Sequence, residues 1–228
     1  NKHMKSIETK KRCLLFDLDG TLTDSAPGIL HSVRFALGRA GISPDTVCLN
    51  AFIGPPLLDS FMQHAGMTQA QAQRAVQDYR ECFVGQQAMF ENSVYDGIFP
   101  ALQALRDLQV PLAVATAKPE PYAVQIMDRF GLSPYFLQIH GATLDGTVHS
   151  KEQVIAKAMD ALGKIGYDSF LMIGDREQDV IGAHRCGIPV CGVLWGYGDR
   201  EELLRAGADR IIETPEQLTT LSKGALDR

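Results

Sequence analysis

Two pairs of aspartates stand where they could act together on one substrate. Asp17 and Asp19 end one short apolar run, and Asp175 and Asp179 follow another, with Asp179 one helical turn further on. Residues i and i+2 of a strand point to the same side. Parallel strands end at one edge of a sheet, where open α/β sheets bind ligands. The four carboxylates are therefore predicted to meet in one crevice.

Such a cluster of carboxylates requires a counter-charge. At ~4 Å and an effective dielectric constant near 20, each close pair of carboxylates repels by about 4 kcal/mol. A hard divalent cation removes this repulsion, and oxygen ligands without a histidine or cysteine cluster favour Mg²⁺ over zinc. The predicted cofactor is Mg²⁺, and the predicted metal-binding residues are Asp17, Asp19, Asp175 and Asp179.

Two further residue types are suited to holding a phosphoryl group. Thr116 ends another apolar run, and Lys151 falls in the first turn of a predicted helix. A hydroxyl, an ammonium and backbone N–H groups are what the oxygens of a transferring phosphoryl group require. Thr116, Ala117 and Lys151 are the candidate phosphate-binding residues. Taken alone, none of these residues indicates a phosphate site, and the prediction rests on their order along the chain.

The elements that must position these residues are short apolar strands. Such runs predict a parallel sheet covered on both faces, because neither face alternates with polar residues. Helical patterns with start and stop signals separate the later runs, one of them opened by the capping box of Ser150 and Gln153. The predicted fold class is α/β with a Rossmann-like parallel sheet. The predicted strands cover residues 13–17, 110–116, 135–140, 169–174 and 189–194.

A helical insertion interrupts this pattern after the first strand. Residues 25–94 contain only helical patterns, and no strand is predicted there. One predicted helix covers residues 57–65, and another runs from Thr68 towards Phe90. The predicted organisation is a catalytic core of residues 1–24 and 95–228 with an inserted cap of residues 25–94.

Composition excludes several classes of protein. The chain has 228 residues, of which 45% are hydrophobic and 21% charged, as in ordinary globular proteins. A formal charge of -5 argues against a nucleic-acid polymer as partner. Five scattered cysteines without a C-x-x-C pair favour the reducing cytoplasm. Because no apolar run approaches the ~18 residues of a membrane span, no membrane partner is expected.

The motifs together resemble the haloacid dehalogenase superfamily of hydrolases. They are Asp-x-Asp-Gly-Thr-Leu from Asp17, then Thr116, Lys151 and Gly-Asp-x-x-x-Asp ending at Asp179, and the resemblance runs from about residue 12 to residue 212. The insertion resembles the small helical cap of that superfamily. The resemblance implies a phosphatase acting on a small phosphate ester.

The resemblance also implies a role for each residue. Asp17 would be the nucleophile that forms an aspartyl-phosphate, and Asp19 would protonate the leaving alcohol and then activate water. The Asp17 carboxylate, the Asp19 backbone carbonyl and Asp175 would hold Mg²⁺, with Asp179 assisting. Thr116 and Lys151 would bind the phosphoryl group.

Other chemistries known on this fold are weighed against a phosphatase. A dehalogenase needs neither the acid/base at Asp19 nor the second acidic pair. A phosphonate hydrolase of the capped type needs a cap lysine, and residues 25–94 contain none. A sugar phosphomutase and a non-enzymatic phosphate-binding module stay open as lesser alternatives. The phosphatase is the prediction.

The substrate is predicted from loops around the motifs. The chain is similar to bacterial 5′-nucleotidase-like and phosphoglycolate phosphatases, but Ala117 and Glu152 depart from the phosphoglycolate pattern. We therefore predict nucleoside 5′-monophosphates as substrates, with phosphoglycolate as the alternative. An aromatic residue such as Phe52 or Trp195 would stack on a base, or would instead pack inside the protein. The candidate specificity residues are Phe52, Gly54, Pro55, Lys118 and Trp195.

Overall fold

The computed structural model describes residues 10–222. Its strands are β1 (Arg12–Phe16), β2 (Thr23–Asp24), β3 (Ser93–Val94), β4 (Leu112–Pro119), β5 (Gln138–Ala142), β6 (Ser169–Gly174), β7 (Val190–Val193) and β8 (Arg210–Ile212). Its α-helices are α1 (Ala26–Arg39), α2 (Leu57–Ala65), α3 (Gln69–Arg80), α4 (Ile98–Asp107), α5 (Glu120–Arg129), α6 (Lys151–Gly163), α7 (Glu177–Arg185) and α8 (Arg200–Ala206).

Six of the strands form one parallel sheet. Their order is β5–β4–β1–β6–β7–β8, so β1 lies between β4 and β6. Phe16 at the end of β1 is in register with Val114 of β4 and Ile173 of β6. Because the pairing is parallel throughout, the residues that follow these strands emerge at the same edge. The predicted α/β fold with a parallel sheet is confirmed.

Both faces of the sheet are covered, and this explains the uninterrupted apolar strands. Along β1, Leu14 and Phe16 join one buried cluster, whereas Cys13 and Leu15 join another. Residues of α4 and α5 complete the first cluster, and residues of α6, α7 and α8 complete the second. Because β1 is buried on both sides, polar and apolar residues do not alternate along it.

The inserted residues are held together at the junction with the sheet. Helices α1, α2 and α3 lie between β2 and β3, and these two short strands pair antiparallel, with Thr23 opposite Val94. The first buried cluster continues from the sheet into these helices. The exact division into core and cap stays a prediction.

Two local predictions need correction. Ser93–Val94 is a strand within the segment for which none was predicted, because two residues are too short to show a period. Helix α3 ends at Arg80 and gives way to a π turn, Glu81–Gly85, instead of running to Phe90. The short strands β2 and β8 were not predicted either.

Among the described helices, none has the length and apolarity needed to cross a bilayer.

At Gly28, helix α1 contacts Ala88 and Glu91 near the end of the insertion. Its N–H donates to the Glu91 carbonyl at 2.9 Å, and an added Cβ would collide with the Ala88 carbonyl oxygen. Only a residue without a side chain allows this approach.

We expect Gly28→Ala to lower the free energy of unfolding by about 1–3 kcal/mol, the usual cost of overpacking. Gly38→Ala is the matched control on the same helix, because nothing lies within 4 Å of its added Cβ. The control should be neutral or stabilised by up to about 1 kcal/mol. Thermal unfolding measures both, and equal melting temperatures for the two variants would contradict the packing at Gly28.

Candidate active site

Three of the four predicted carboxylates meet at the carboxyl edge of the sheet. Asp17 follows β1, Asp175 follows β6, and Asp179 lies in the first turn of α7. One oxygen atom from each lies within 4.8 Å of the others, and all three residues are buried. The Asp19 carboxylate is not in this group, because its Oδ1 lies 3.2 Å from the Nζ of Lys118.

Lys151 is the cation that pairs with two of these three carboxylates. Its Nζ lies 2.8 Å from Asp17 Oδ1 and 2.9 Å from Asp179 Oδ1, and it donates to the Ala115 carbonyl at 3.0 Å. Burial alone would lower the pKa of Lys151, but the charges of Asp17 and Asp179 raise it above its usual value. The ammonium is therefore held charged, as a phosphoryl-binding group must be.

One ammonium does not neutralise three carboxylates. Burial and then the Asp179 charge raise the pKa of Asp17 above its usual range, against the lowering effect of Lys151. Burial and the charges of Asp179 and Asp17 likewise raise the pKa of Asp175. Excess negative charge among oxygen-only donors fits a hard divalent cation, which this cluster could hold.

Asp175 is positioned from two sides. Thr21 Oγ1 donates to its Oδ1 at 3.2 Å, and the Tyr197 backbone N–H donates to its Oδ2 at 2.8 Å. An added Cβ at Gly196 would collide with the Asp175 side chain and the Gly20 carbonyl, so the loop after β7 packs directly on this carboxylate. These contacts fix the orientation of a potential metal ligand.

The residues 116–118 lie in an irregular part of β4. The register between β4 and β5 shifts between Ala115 and Pro119, and such irregularities re-aim side chains next to active sites. Thr116 is buried and its Oγ1 accepts a hydrogen bond from the Lys118 backbone N–H at 3.2 Å. Thr116 and Ala117 thus face the same cavity as Asp17 and Lys151.

Two adjoining cavities open at this edge. The carboxylate cavity, of about 280 Å³, is lined by Asp17, Asp19, Thr116, Lys151, Arg176 and Asp179 among others. The aromatic cavity, of about 200 Å³, is lined by Phe52, Tyr79, Arg80, Phe83, Tyr122 and Leu144 among others. Asp19, Ala117 and Lys118 line both. A larger cavity, of about 690 Å³, lies at the opposite edge and is lined by none of the candidate residues.

The predicted specificity residues occupy different places. Phe52, Gly54 and Pro55 line the aromatic cavity, and Phe52 also packs edge-on against Phe61 at 5.1 Å between ring centroids. Phe52 is thus part of the interior as well as of the cavity wall. Lys118 is buried between Asp19 and the ring of Phe83, whose centroid lies 4.6 Å from its Nζ.

Trp195 does not belong to either cavity wall. Its Nε1 donates to the Thr21 carbonyl at 2.8 Å, and its ring packs against the first hydrophobic cluster. Because Trp195 supports the loop that carries Asp17 and Asp19, the proposed stacking of this residue on a substrate is not retained. The alternative of packing inside the protein describes it.

Sequence reasoning missed the contact that joins the insertion to the second acidic motif. Arg176 Nη1 donates to the Ile53 carbonyl at 2.8 Å, and its Nε lies 2.8 Å from Glu202 Oε1. Arg176 follows Asp175 directly and lines the carboxylate cavity. The position of Arg176 inside the second acidic motif was the one signal in the sequence. Its partner, the Ile53 carbonyl, could not be predicted because it lies in a distant segment.

Because the folded state raises the pKa of Asp17, its charge opposes folding above the unfolded pKa of a carboxyl group. In the presence of a chelator at pH 8, Asp17→Asn is therefore expected to melt a few degrees above the native protein. Added divalent cation should then raise the melting temperature of the native protein more than that of the variant. Asp160→Asn, at a surface pair with Lys164, serves as the control. A lower melting temperature for Asp17→Asn would contradict the electrostatics given above.

The comparisons with known proteins agree with this geometry. The family model for haloacid dehalogenase-like hydrolases matches residues 14–193. A 5′-nucleotidase from Pseudomonas aeruginosa is 47% identical over 83% of this chain and 86% of its own length. The crystal structure of a predicted phosphatase from Clostridium acetobutylicum superposes with a TM-score of 0.87 and 43% identity, covering 93% of this chain and 98% of that one.

Relatives with other names also match. The tyrosine-protein kinase PtkA from Mycobacterium tuberculosis is 41% identical over 81% of this chain and 62% of its own length. A phosphoglycolate phosphatase from Caulobacter vibrioides is 31% identical over 88% of this chain and 86% of its own length. On the match to the family model and the identity of these relatives, the chain belongs to the haloacid dehalogenase-like hydrolase family.

Proposed function

We propose that this chain is a Mg²⁺-dependent phosphatase that hydrolyses nucleoside 5′-monophosphates through an aspartyl-phosphate on Asp17. Its class, phosphoric monoester hydrolase, follows from the family and from its phosphatase relatives and structural neighbours. The observation that carries the proposal is the buried cluster of Asp17, Asp175 and Asp179, in which Lys151 pairs with Asp17 and Asp179 at the wall of one cavity.

Asp17 is the nucleophile in this proposal. One of its carboxylate oxygens forms a bond to phosphorus while the bond between phosphorus and the leaving oxygen breaks. Asp19 gives that leaving oxygen a proton and later takes a proton from the water that attacks the phosphorus. The second step releases inorganic phosphate and restores the Asp17 carboxylate. Lys118, 3.2 Å from Asp19 Oδ1, holds the carboxylate of Asp19 in place between the two cavities.

The phosphoryl oxygens are bound by groups on three elements. Lys151 supplies a charged donor, Thr116 supplies a hydroxyl, and the loop at Ala117 supplies backbone N–H. Asp17, Asp175 and the Asp19 backbone carbonyl would hold Mg²⁺, with Asp179 assisting. Bound Mg²⁺ would supply the positive charge that lets a phosphate dianion approach these carboxylates.

The leaving group is proposed to occupy the aromatic cavity. That cavity adjoins Asp19 and is walled by Phe52, Tyr79, Phe83 and Tyr122, which suits a leaving group with flat apolar faces. The 47% identity to a 5′-nucleotidase supports a nucleoside as that group.

A second candidate substrate is phosphoglycolate. The observation that favours it is Arg80, which lines the aromatic cavity and forms no ion pair with any acidic residue of the described range. Within residues 10–222, its guanidinium donates only to the Leu144 carbonyl, at 3.4 Å. A carboxylate on the leaving group would give Arg80 a charged partner.

We expect Asp17→Asn to lose Mg²⁺-dependent phosphate release from nucleoside 5′-monophosphates by at least about a thousandfold, because the nucleophile is removed. Phosphate release with Mg²⁺ and with a chelator measures this, with Asp160→Asn as the control that should retain activity. Comparable release by Asp17→Asn would rule out hydrolysis through this residue.

Arg80→Gln separates the two candidate substrates. If the leaving group carries a carboxylate bound by Arg80, kcat/KM for phosphoglycolate should fall about tenfold or more, as for lost hydrogen bonds to charged groups. If nucleosides are the leaving groups, we expect nucleotide turnover by the native protein to exceed phosphoglycolate turnover. The variant should then retain that turnover within about threefold, because Arg80 meets no anion there. If the native protein prefers phosphoglycolate and Arg80→Gln loses that activity, phosphoglycolate replaces nucleoside 5′-monophosphates as the proposed substrate.

A further inference from the structure

A tyrosine of the insertion presents an unused hydrogen-bonding group to the aromatic cavity. Tyr79, near the end of α3, is only 5% exposed and lines this cavity together with Asp19. Its hydroxyl forms no hydrogen bond with any residue in the range 10–222, and its oxygen is not one of the fully enclosed atoms without a partner. The hydroxyl of a buried tyrosine usually finds a partner, and here the cavity is the space open to it.

The missing partner is informative because the ring alone accounts for the packing. The Tyr79 ring is stacked on Phe83 with 5.2 Å between centroids, and phenylalanine would fill the same space. The hydroxyl is therefore not explained by packing, and the cavity is the space from which a partner can come.

The Tyr79 hydroxyl is a donor at neutral pH. Burial and then the charge of Asp19 raise the pKa of the phenol well above its usual value. The group stays protonated and offers its hydrogen to an acceptor in the cavity. Asp19, the proposed acid/base, lines the same cavity, so the donor faces the space next to the leaving oxygen.

The position of Tyr79 is fixed by neighbours from both parts of the chain. Phe83 lies on the π turn Glu81–Gly85, a type of irregularity that recurs at functional sites. The Phe83 ring also lies 4.6 Å from the Lys118 ammonium and 6.0 Å from the Tyr122 ring. A donor held this firmly is preorganised for one acceptor position.

We propose that Tyr79 is a specificity-determining residue whose hydroxyl donates a hydrogen bond to an acceptor atom of a neutral, polar leaving group. This proposal rests on the proposed function, hydrolysis of a phosphate ester at Asp17. The acceptor would be an oxygen or a ring nitrogen of the nucleoside. A buried donor disfavours leaving groups that cannot accept from it, because it would then stay unpaired.

The test is Tyr79→Phe, which keeps the ring and removes only the oxygen. We expect kcat/KM for the preferred nucleoside 5′-monophosphate to fall about tenfold, within the range of a lost buried hydrogen bond. Phenyl phosphate, whose leaving group has no acceptor besides the ester oxygen, should change by less than about twofold. Because the hydroxyl has no protein partner, the melting temperature should stay within about 1 °C.

Tyr135→Phe is the matched control, since Tyr135 packs with Arg106 and Phe99 and lines neither cavity. Equal losses on nucleotide and phenyl phosphate would mean a structural role for Tyr79 and overturn the proposal. No loss on either substrate would overturn it too, as would a native protein that releases phosphate from phenyl phosphate but from no nucleotide. A failure of the proposed function is visible separately, as phosphate release that survives Asp17→Asn.

Discussion

The crowding of Asp17, Asp175 and Asp179 at one edge of the sheet is the constraint on which the rest of the structure depends. Each charge is taken out of water, which costs several kcal/mol unless it is paired. Lys151 pairs with Asp17 and Asp179 but not with Asp175, so the cluster holds more negative charge than this ammonium neutralises. In the proposed function, such a site gives up stability in exchange for affinity towards a cation and a phosphoryl group.

The sheet and the loops around it hold these carboxylates in place against their mutual repulsion. The central position of β1 brings Asp17 between the ends of β4 and β6. A carbonyl from β4 orients Lys151, and the loop after β7 gives Asp175 a backbone N–H. The Ala115 carbonyl and the Tyr197 N–H both belong to the backbone. They therefore hold Lys151 and Asp175 rigidly at the place where repulsion between the carboxylates acts.

The insertion reaches the chemistry through a short chain of contacts. The Phe83 ring lies against the Lys118 ammonium, which in turn pairs with Asp19. The position of the insertion therefore affects the proposed acid/base through one cation. Phe52, Tyr79 and Phe83 of the insertion also wall the aromatic cavity, so in the proposed function the insertion would connect recognition of the leaving group with protonation of its oxygen.

The features that could be predicted from the sequence are those that depend on residue spacing within one segment. Short, mostly apolar runs located five of the six sheet strands, and the motif at Asp17 placed its carboxylate at a strand end because strand geometry leaves little choice. The sequence did not predict that the Asp19 carboxylate would pair with Lys118 outside the carboxylate cluster, and it left open whether Trp195 stacks on a substrate or packs inside the protein. Those outcomes depend on contacts between segments distant along the chain. The π turn after α3 was missed because its composition differs little from a helix.

The contact between Arg176 and the Ile53 carbonyl joins residues 123 positions apart through a main-chain acceptor. Every amino acid carries that acceptor, so the side chains of the loop around Ile53 can diversify without loosening this anchor. Changes in loop length would displace the carbonyl and are not tolerated in the same way. Point mutations in this loop can thus change the cavity wall while the contact that ties the insertion to Arg176 stays unchanged.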